Sequence, residues 1–254
     1  MALSLSRLNM LARFGGVILA TLPNTLLPVP VPFTLAFTKR FGREKMLTRL
    51  HFQVAWARFC RKHLLKYSLT VDGREHLPDD RRGYMVISNH QSYVDIMVLM
   101  EALGSVSFLS KTLVKYIPLI GLQAYVGGTI FFDRKHKDSR KQALEDTIRM
   151  CRESTATIVF PEGTRSADGE LRDKIYPSAI EAAYQNGFKV IPVGLDGTFK
   201  ILPKAMDRVN LGQQVAVNIG QALDPADYPD QQAWVDAVWS RVGELYRLSR
   251  ASRR

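Results

Sequence analysis

Short apolar runs alternate along most of the chain with longer amphipathic stretches, and polar or glycine-containing segments separate them. Short runs of this kind are typical of buried strands, whereas apolar residues at helical spacing predict helices. At 254 residues the chain is long enough for one α/β core. We therefore expect an α/β fold in which a central mixed sheet is covered by helices on both faces. The predicted strands are Ser68–Val71, Tyr84–Ile87, Val106–Leu109, Gly128–Phe132, Thr157–Phe160, Lys189–Val193 and Gln214–Ile219, and the predicted helices are Val94–Leu103, Asp138–Arg152, Ser178–Gln185 and Gln231–Leu248.

The N-terminal part has a different pattern. Residues 14–38 contain no charge, but four prolines interrupt the run, so it does not read as one spanning helix. We expect a helix over Ser6–Leu22, a bend, and re-entry near Phe33, giving a hairpin that dips into one leaflet. A cleaved signal peptide is the competing interpretation, but no convincing small-residue cleavage site precedes the prolines.

Charge is concentrated in the same region. The chain carries a formal charge of +11, of which residues 1–66 contribute +10 because eleven lysines and arginines there face one acid, Glu44. Residues 46–67 predict an amphipathic helix with a basic face, suited to anionic lipid; the alternative is that this helix packs on the sheet with its basic face in solvent. We therefore divide the chain into a membrane-associating helical region, residues 1–66, and an α/β domain, residues 67–254.

The basic charge does not indicate a nucleic-acid partner, since no nucleic-acid-binding motif occurs and aromatic residues do not alternate with basic ones. Two distant cysteines, Cys60 and Cys151, suit a reducing compartment. Positive charge beside a membrane segment predicts a monotopic or re-entrant anchor with residues 67–254 on the cytoplasmic face.

A first candidate site follows the strand that ends at Ile87. His90 lies in the turn after this strand, and Asp95 lies in the first turn of the next helix, so their side chains can meet. A carboxylate on one ring nitrogen fixes the tautomer and leaves the other nitrogen free to accept a proton. No serine or cysteine nucleophile is evident, so the acceptor's own hydroxyl would attack. The alternative is that Asp95 only caps the helix and His90 bonds a backbone carbonyl.

Two further strand ends carry groups that can bind an anion. The strand over 157–160 leads into a loop in which Gly163 permits close backbone approach and Arg165 offers the planar donors that phosphate or carboxylate prefers. The strand over 128–132 leads to Asp133 and Arg134, which by themselves fit an ordinary surface pair equally well. Together with His90 and Asp95, these residues predict a base beside a cationic pocket.

In four ordered blocks the chain resembles the 1-acylglycerol-3-phosphate acyltransferases and related glycerolipid acyltransferases. The blocks read NHQSYVD, GTIFFDR, FPEGTRS and VIPV, within residues 84–197, and a lysine and a proline-x-x-glycine segment lie between the first two. The resemblance implies transfer of a fatty acyl group from acyl-CoA or acyl carrier protein to the free hydroxyl of 1-acylglycerol 3-phosphate, giving phosphatidic acid, without metal or cofactor. It also implies residue roles: His90 and Asp95 as the catalytic pair, Arg134, Glu162, Gly163, Thr164 and Arg165 as the acceptor phosphate site, and Lys111 as a substrate contact.

One segment departs from the family pattern. After the third block many relatives have Phe-Lys-Lys-Gly, whereas this chain has Leu171–Pro177, near the expected place of the acceptor head group. Other acceptors therefore remain open: a lyso-ornithine lipid, another lysophospholipid or glycerol 3-phosphate. So do a His/Asp thioesterase or lipid hydrolase and a non-enzymatic lipid-binding protein. An apolar tunnel for the acyl chain is expected along Ile117–Val126 and the N-terminal hairpin.

Overall fold

The structure, a computed structural model, describes residues 5–20, 53–104, 106–117 and 120–253. Its centre is a seven-stranded sheet in the order β1-β7-β6-β2-β5-β3-β4. Every neighbouring pair is parallel except β6 and β7, which are antiparallel. The predicted mixed sheet is confirmed. The strands are β1 Ser68–Asp72, β2 Tyr84–Ser88, β3 Ser107–Lys111, β4 Ile130–Phe132, β5 Thr157–Val159, β6 Lys189–Asp196 and β7 Gln214–Ile219.

Helices connect the parallel strands and flank the sheet. The predicted helices are present, and the ends that lie within the described residues differ by at most a few residues. Two short helices, α4 (Ile120–Val126) and α7 (Thr198–Ile201), were not predicted. A π-helical turn, Cys60–Leu65, continues directly from α2, residues 53–59. The helices are α1 Leu5–Leu19, α2 residues 53–59, α3 Val94–Leu103, α4 Ile120–Val126, α5 Lys137–Glu153, α6 Ser178–Gln185, α7 Thr198–Ile201 and α8 Gln231–Ser252.

Two apolar clusters lie on opposite faces of the sheet, because neighbouring side chains of a strand point to opposite sides. In β2, Val86 belongs to the cluster that also contains α3 and the π-helical turn, whereas Met85 and Ile87 belong to the cluster beneath α5, α6 and α8. In β6, Ile191 belongs to the first of these clusters and Val190 to the second. Burial on both faces explains why these strands read as continuous apolar runs in the sequence.

The N-terminal helices pack on the first of these clusters. Val17 of α1 and Trp56 of α2 are buried in it. Arg61, which we expected to face lipid or solvent, instead forms a two-pronged pair with the buried Glu101, with nitrogen–oxygen distances of 2.8 and 2.9 Å. Arg58 lies 3.5 Å from the same carboxylate. The basic helix therefore packs on the domain, and two of its arginines interact with a buried carboxylate there.

Within the described ranges, no helix combines the length and apolar character needed to cross a bilayer. The predicted helix over Ser6–Leu22 corresponds to α1. The predicted bend, the re-entry near Phe33 and the start of the basic helix at residue 46 lie outside the described residues. The division of the chain at residue 66 stays a prediction.

The parallel arrangement decides where the chemistry lies. Strands β2, β3, β4, β5 and β6 run in one direction, so their carboxyl ends meet at one edge of the sheet. Crevices at such edges hold the active sites of open α/β sheets. The predicted histidine, arginine and glycine-containing blocks all follow these strands, and the fold therefore brings them together.

Candidate active site

His90 and Asp95 are hydrogen-bonded. The ring Nδ1–H of His90 donates to Oδ2 of Asp95 over 2.7 Å. A carboxylate can only accept, so the proton sits on Nδ1 and Nε2 carries the free lone pair. His90 lines the pocket described below and is partly exposed, whereas Asp95 is fully buried. This arrangement is a base and its orienting carboxylate.

Asp95 also organises the turn that carries the histidine. Its Oδ2 accepts the backbone N–H groups of Gln91 at 2.7 Å and Ser92 at 2.9 Å, and its Oδ1 accepts the hydroxyl of Thr198. Its position in the first turn of α3 adds a favourable interaction with the helix dipole. One carboxylate therefore orients the ring and also holds the backbone of the turn, whereas α3 has no side-chain cap within the described residues and His90 does not bond a backbone carbonyl through Nδ1.

Two amide side chains fasten this turn to β6 and its following loop. Asn89 donates to the Leu195 carbonyl and accepts the Leu195 N–H, both at 2.9 Å. Gln91 donates to Asp196 at 2.8 Å and accepts the Gly197 N–H at 3.0 Å. Sequence reasoning did not assign these roles, although both residues belong to the NHQ block. Thr198 had no local signal, because it lies 103 positions from Asp95.

Glu162 lies beneath the catalytic turn and not in the pocket. Its Oε1 accepts the backbone N–H of His90 at 2.6 Å, and the side chain is 2% exposed. Burial raises the pKa of Glu162 to about 7, although the N–H groups of His90 and Arg172 oppose that change. The expectation that Glu162 binds the acceptor phosphate gains no support from this position, since a buried carboxylate would repel an anion.

The rest of the third block surrounds the histidine. The Ser166 N–H donates to the His90 carbonyl at 2.8 Å, and the Phe160 ring stacks on the imidazole with centroids 4.1 Å apart. Gly163 has φ of +65°, and a Cβ there would lie 2.8 Å from the Tyr176 ring. Only glycine suits both the backbone and the space. The divergent segment before Pro177 thus lies against this loop, as its sequence position suggested.

Cationic side chains gather around the mouth of the pocket. Lys111, Arg134 and Arg165 line it, and Lys204, which the sequence did not single out, lines it too. Burial lowers the pKa of Lys111, and the positive charges of Arg134, Arg165 and Lys204 lower it further. Like charges brought together in this way favour an anion among them.

Arg165 packs on an aromatic ring, and one of its buried N–H groups has no hydrogen-bond partner within the described residues. Its guanidinium lies over the Tyr93 ring, 3.9 Å from the centroid. Its Nη1 is buried and has no hydrogen-bond partner within the described part of the chain. A buried donor of this kind is costly unless a ligand satisfies it. Thr164 and Gly163 line the same part of the pocket, so an anion bound there would meet Arg165 and the loop together.

An apolar cavity continues inward from these charges. The pocket has a volume of about 510 Å³ and reaches from the charged mouth to a lining of aliphatic and aromatic side chains. Contributions come from α1, α2, α3 and the segment around α4, in partial agreement with the tunnel expected along Ile117–Val126. The apolar lining includes Val17, Trp56, Met97, Met100, Phe108, Leu113, Ile117, Ile120 and Ala124.

Neither cysteine is suited to nucleophilic attack. Both are buried free thiols. Burial raises the pKa of Cys60 to about 12 and also raises that of Cys151. Because the thiolate is the reactive form, both side chains are inert at neutral pH.

Comparisons with known proteins identify the family and several relatives of this chain. The sequence profile of the family described as Acyltransferase matches residues 68–196, about half of the chain. A 1-acyl-sn-glycerol-3-phosphate acyltransferase of Chlamydomonas reinhardtii is 29% identical over 228 residues, covering 89% of this chain and 67% of the relative. The chloroplastic enzyme LPAT1 of Arabidopsis thaliana is 33% identical over 143 residues, covering 56% of this chain and 40% of its own length.

A solved structure extends the likeness to nearly the whole chain. The crystal structure of the 1-acyl-sn-glycerophosphate (LPA) acyltransferase PlsC from Thermotoga maritima superposes with a TM-score of 0.79 at 25% identity, covering 97% of this chain and 96% of that one. The fold is that of this crystal structure, and the residues matched by the family profile include His90 and Asp95. The chain belongs to the acyltransferase family, and the relatives that it resembles are named 1-acyl-sn-glycerol-3-phosphate acyltransferases.

Proposed function

We propose that this enzyme transfers a fatty acyl group from an acyl thioester, acyl-CoA or acyl carrier protein, to the free hydroxyl of 1-acylglycerol 3-phosphate, forming phosphatidic acid. One observation supports this most directly. His90 and Arg165 line the same pocket, which is lined by cationic as well as apolar side chains, and Nη1 of Arg165 has no hydrogen-bond partner within the described residues. A single-chain lipid with a phosphate head group has the matching distribution of charge and apolar surface.

The reaction follows from the hydrogen bonds of His90. Its Nε2 removes the proton of the acceptor hydroxyl while that oxygen attacks the thioester carbonyl carbon. Asp95 holds the ring and balances the charge of the imidazolium. When the tetrahedral intermediate collapses, the carbon–sulfur bond breaks, and the proton on His90 returns to the departing thiolate. Base catalysis of this kind contributes about 10²–10⁴-fold to the rate. The thioester is a co-substrate, and the scheme calls for no metal or cofactor.

The acceptor phosphate would be bound by Arg134, Arg165 and Thr164, with Lys111 and Lys204 adding positive charge. These contacts are made before and during the reaction, so they lower the KM for the acceptor more than they raise kcat. The acyl chain would occupy the apolar cavity. This assignment explains why positive and apolar side chains share one pocket.

A lipid surface is the expected source of the acceptor. Leu113 and Tyr116, beside the pocket, are 76% and 73% exposed, and Leu122 and Tyr125 of the neighbouring α4 are 46% and 49% exposed. Exposed apolar side chains clustered at a pocket mouth suit contact with a bilayer. We propose that this face and the basic N-terminal region hold the enzyme on the membrane as a monotopic protein, with the catalytic domain facing the cytoplasm.

The decisive test compares two acceptors that differ only in the phosphate. Purified enzyme is given radiolabelled acyl-CoA or acyl carrier protein with either 1-acylglycerol 3-phosphate or 1-monoacylglycerol, and the lipid products are separated. We expect phosphatidic acid from the first acceptor and little product from the second. Arg165→Ala should reduce this preference, because it removes the phosphate contact while leaving the base unchanged.

Three outcomes would contradict the proposal. Release of free fatty acid at the same rate with and without acceptor would indicate a hydrolase. A second test uses a panel of lyso-ornithine lipid, other lysophospholipids and glycerol 3-phosphate. Faster transfer to one of these would mean that it, and not 1-acylglycerol 3-phosphate, is the acceptor. Binding of the lipid without any product would indicate a lipid-binding protein.

A further inference from the structure

Glu162 is built into the site without facing the substrate pocket. Its carboxylate is 2% exposed, and Oε1 accepts the backbone N–H of His90 at 2.6 Å. The other oxygen, Oε2, is buried and has no hydrogen-bond partner within the described residues. A carboxylate in this place cannot bind a phosphate, but it can hold the peptide group that carries the catalytic ring.

We propose that Glu162 is a positioning residue whose negative charge holds the His90 turn in its catalytic position, and that protonation of this carboxylate releases the turn. The inference rests on the proposed acyl transfer only for its kinetic test. It assigns Glu162 to the geometry of the base instead of to acceptor binding. It also makes the enzyme sensitive to pH through a group that does not react.

Two backbone contacts show why the position of this turn depends on Glu162. The His90 N–H is bound by Glu162, and the His90 carbonyl accepts the Ser166 N–H at 2.8 Å. Both contacts come from the loop after β5, so one loop grips both peptide groups next to the histidine. Of the two, only the Glu162 contact involves a charged acceptor, and charge-assisted hydrogen bonds are roughly twice as strong as neutral ones.

Protonation would weaken this contact in two ways. A neutral carboxyl is a poorer acceptor for the His90 N–H. Its new O–H at Oε2 would also be a buried donor without an acceptor, which favours rotation of the carboxyl group away from its present place. Loss of the fixed peptide would let the imidazole move relative to the thioester, and small displacements of a catalytic base are costly.

Burial and the nearby charges set the pH at which Glu162 takes up a proton. Burial raises the pKa of Glu162 to about 7, and the nearby charge of Asp95 raises it as well. The N–H groups of His90 and Arg172 and the positive charge of Arg172 act in the opposite direction. Glu162 is therefore expected to change charge near neutral pH.

The kinetic test uses Glu162→Gln, Glu162→Ala and, as a matched control on the exposed surface of α5, Glu145→Gln. Glutamine keeps an acceptor for the His90 N–H but cannot ionise. Because the amide has the charge of the protonated carboxyl, we expect kcat of Glu162→Gln at pH 8 to fall at least about tenfold and that of Glu162→Ala at least as far, with the acceptor KM within about twofold of wild type in both. Glu145→Gln should match the wild type.

The pH profile separates positioning from a purely structural role. Below neutral pH, log kcat of the wild type should fall more steeply than log kcat of Glu162→Gln, because in the wild type Glu162 must also lose a proton for full activity. An unchanged slope would overturn the proposal, and so would a raised acceptor KM with unaltered kcat, which would return Glu162 to phosphate binding.

A second readout does not need activity. With ¹⁵N-labelled histidine the chain gives five backbone amide signals, and His90→Gln identifies that of residue 90 by its disappearance. In the wild type this amide shift should show an inflection near neutral pH that comes from Glu162, and Glu162→Gln should lack it. Identical titrations would refute the contact. If the wild type fails to acylate 1-acylglycerol 3-phosphate, the proposed function fails, whereas this titration still decides the role of Glu162.

Discussion

Thr198 offers a sharp test of how the catalytic carboxylate is held. Its side chain is fully buried, and its hydroxyl donates to Oδ1 of Asp95. Thr198→Val keeps nearly the same volume but removes this donor. The change therefore removes this hydrogen bond, together with the longer 3.3 Å contact of the same hydroxyl to Oε1 of Gln91, while the packing around the side chain stays nearly the same.

The expected magnitude follows from the charge of the acceptor. A hydrogen bond to a charged group contributes about 1.5–3 kcal/mol, so Thr198→Val should lower the free energy of unfolding by about 2 kcal/mol. If all of this loss also applied to the transition state, kcat would fall about thirtyfold, which is the upper bound. We expect about tenfold, because Asp95 keeps the N–H groups of Gln91 and Ser92 at Oδ2.

The control is Thr198→Ser, which keeps the hydroxyl and loses one methyl group, at about 0.8 kcal/mol. Unfolding in urea can be followed by tryptophan fluorescence in detergent, and kcat by release of free thiol from acyl-CoA. The serine variant should keep nearly the wild-type kcat, while the valine variant should not. Equal kcat values and equal unfolding midpoints for the two variants would refute the assignment of this hydrogen bond.

Four further predictions test other parts of the site. His90→Ala should abolish transfer while unfolding in urea stays close to wild type; turnover near the wild-type rate would rule out His90 as the base. Arg165→Ala should raise the acceptor KM about tenfold or more with little change in kcat, and steady-state kinetics showing a pure loss of kcat would contradict phosphate binding. Because the pKa of Glu162 is raised from 4.5 to about 7, the folded state binds the extra proton between these values, so wild-type stability should fall as pH rises through this window. The difference between the two pKa values corresponds to about 3 kcal/mol in the free energy of unfolding. Glu162→Gln should lack this loss of stability when unfolding is measured at pH 5 and pH 8. Ala124→Phe should fill part of the apolar cavity and shift preference towards shorter acyl-CoA donors in a competition assay, whereas an unchanged preference would place the acyl chain elsewhere.

The strands were predictable where the signal is local. The apolar run Lys189–Val193 identified β6 but ended three residues early, because Gly194 to Asp196 become strand by pairing with β7 in the antiparallel direction. The order of the strands was not predictable at all. It depends on pairing between segments far apart in the chain, such as β1 with β7, and no single segment encodes it.

The candidate site also has residues that the sequence predicted and residues that only the fold brought together. His90 and Asp95 could be paired from the sequence because only five positions separate them and a turn joins strand to helix. The place of Glu162, 72 positions from His90, could not, because block membership suggested phosphate binding and only the fold directs its carboxylate to a backbone N–H. Lys204 and Thr198 gave no signal for the same reason.

The sequence by itself determined the α/β class, the chemical groups at each strand end and the family to which they belong, since these depend on residue type and on spacing along the chain. Only the tertiary structure decided which strand ends are neighbours, that Arg61 pairs with Glu101, and that Thr198 and Glu162 hold the catalytic turn. The physical reason is that burial and hydrogen bonding act between groups that are close in space, and parallel strands bring together residues that the chain itself keeps far apart.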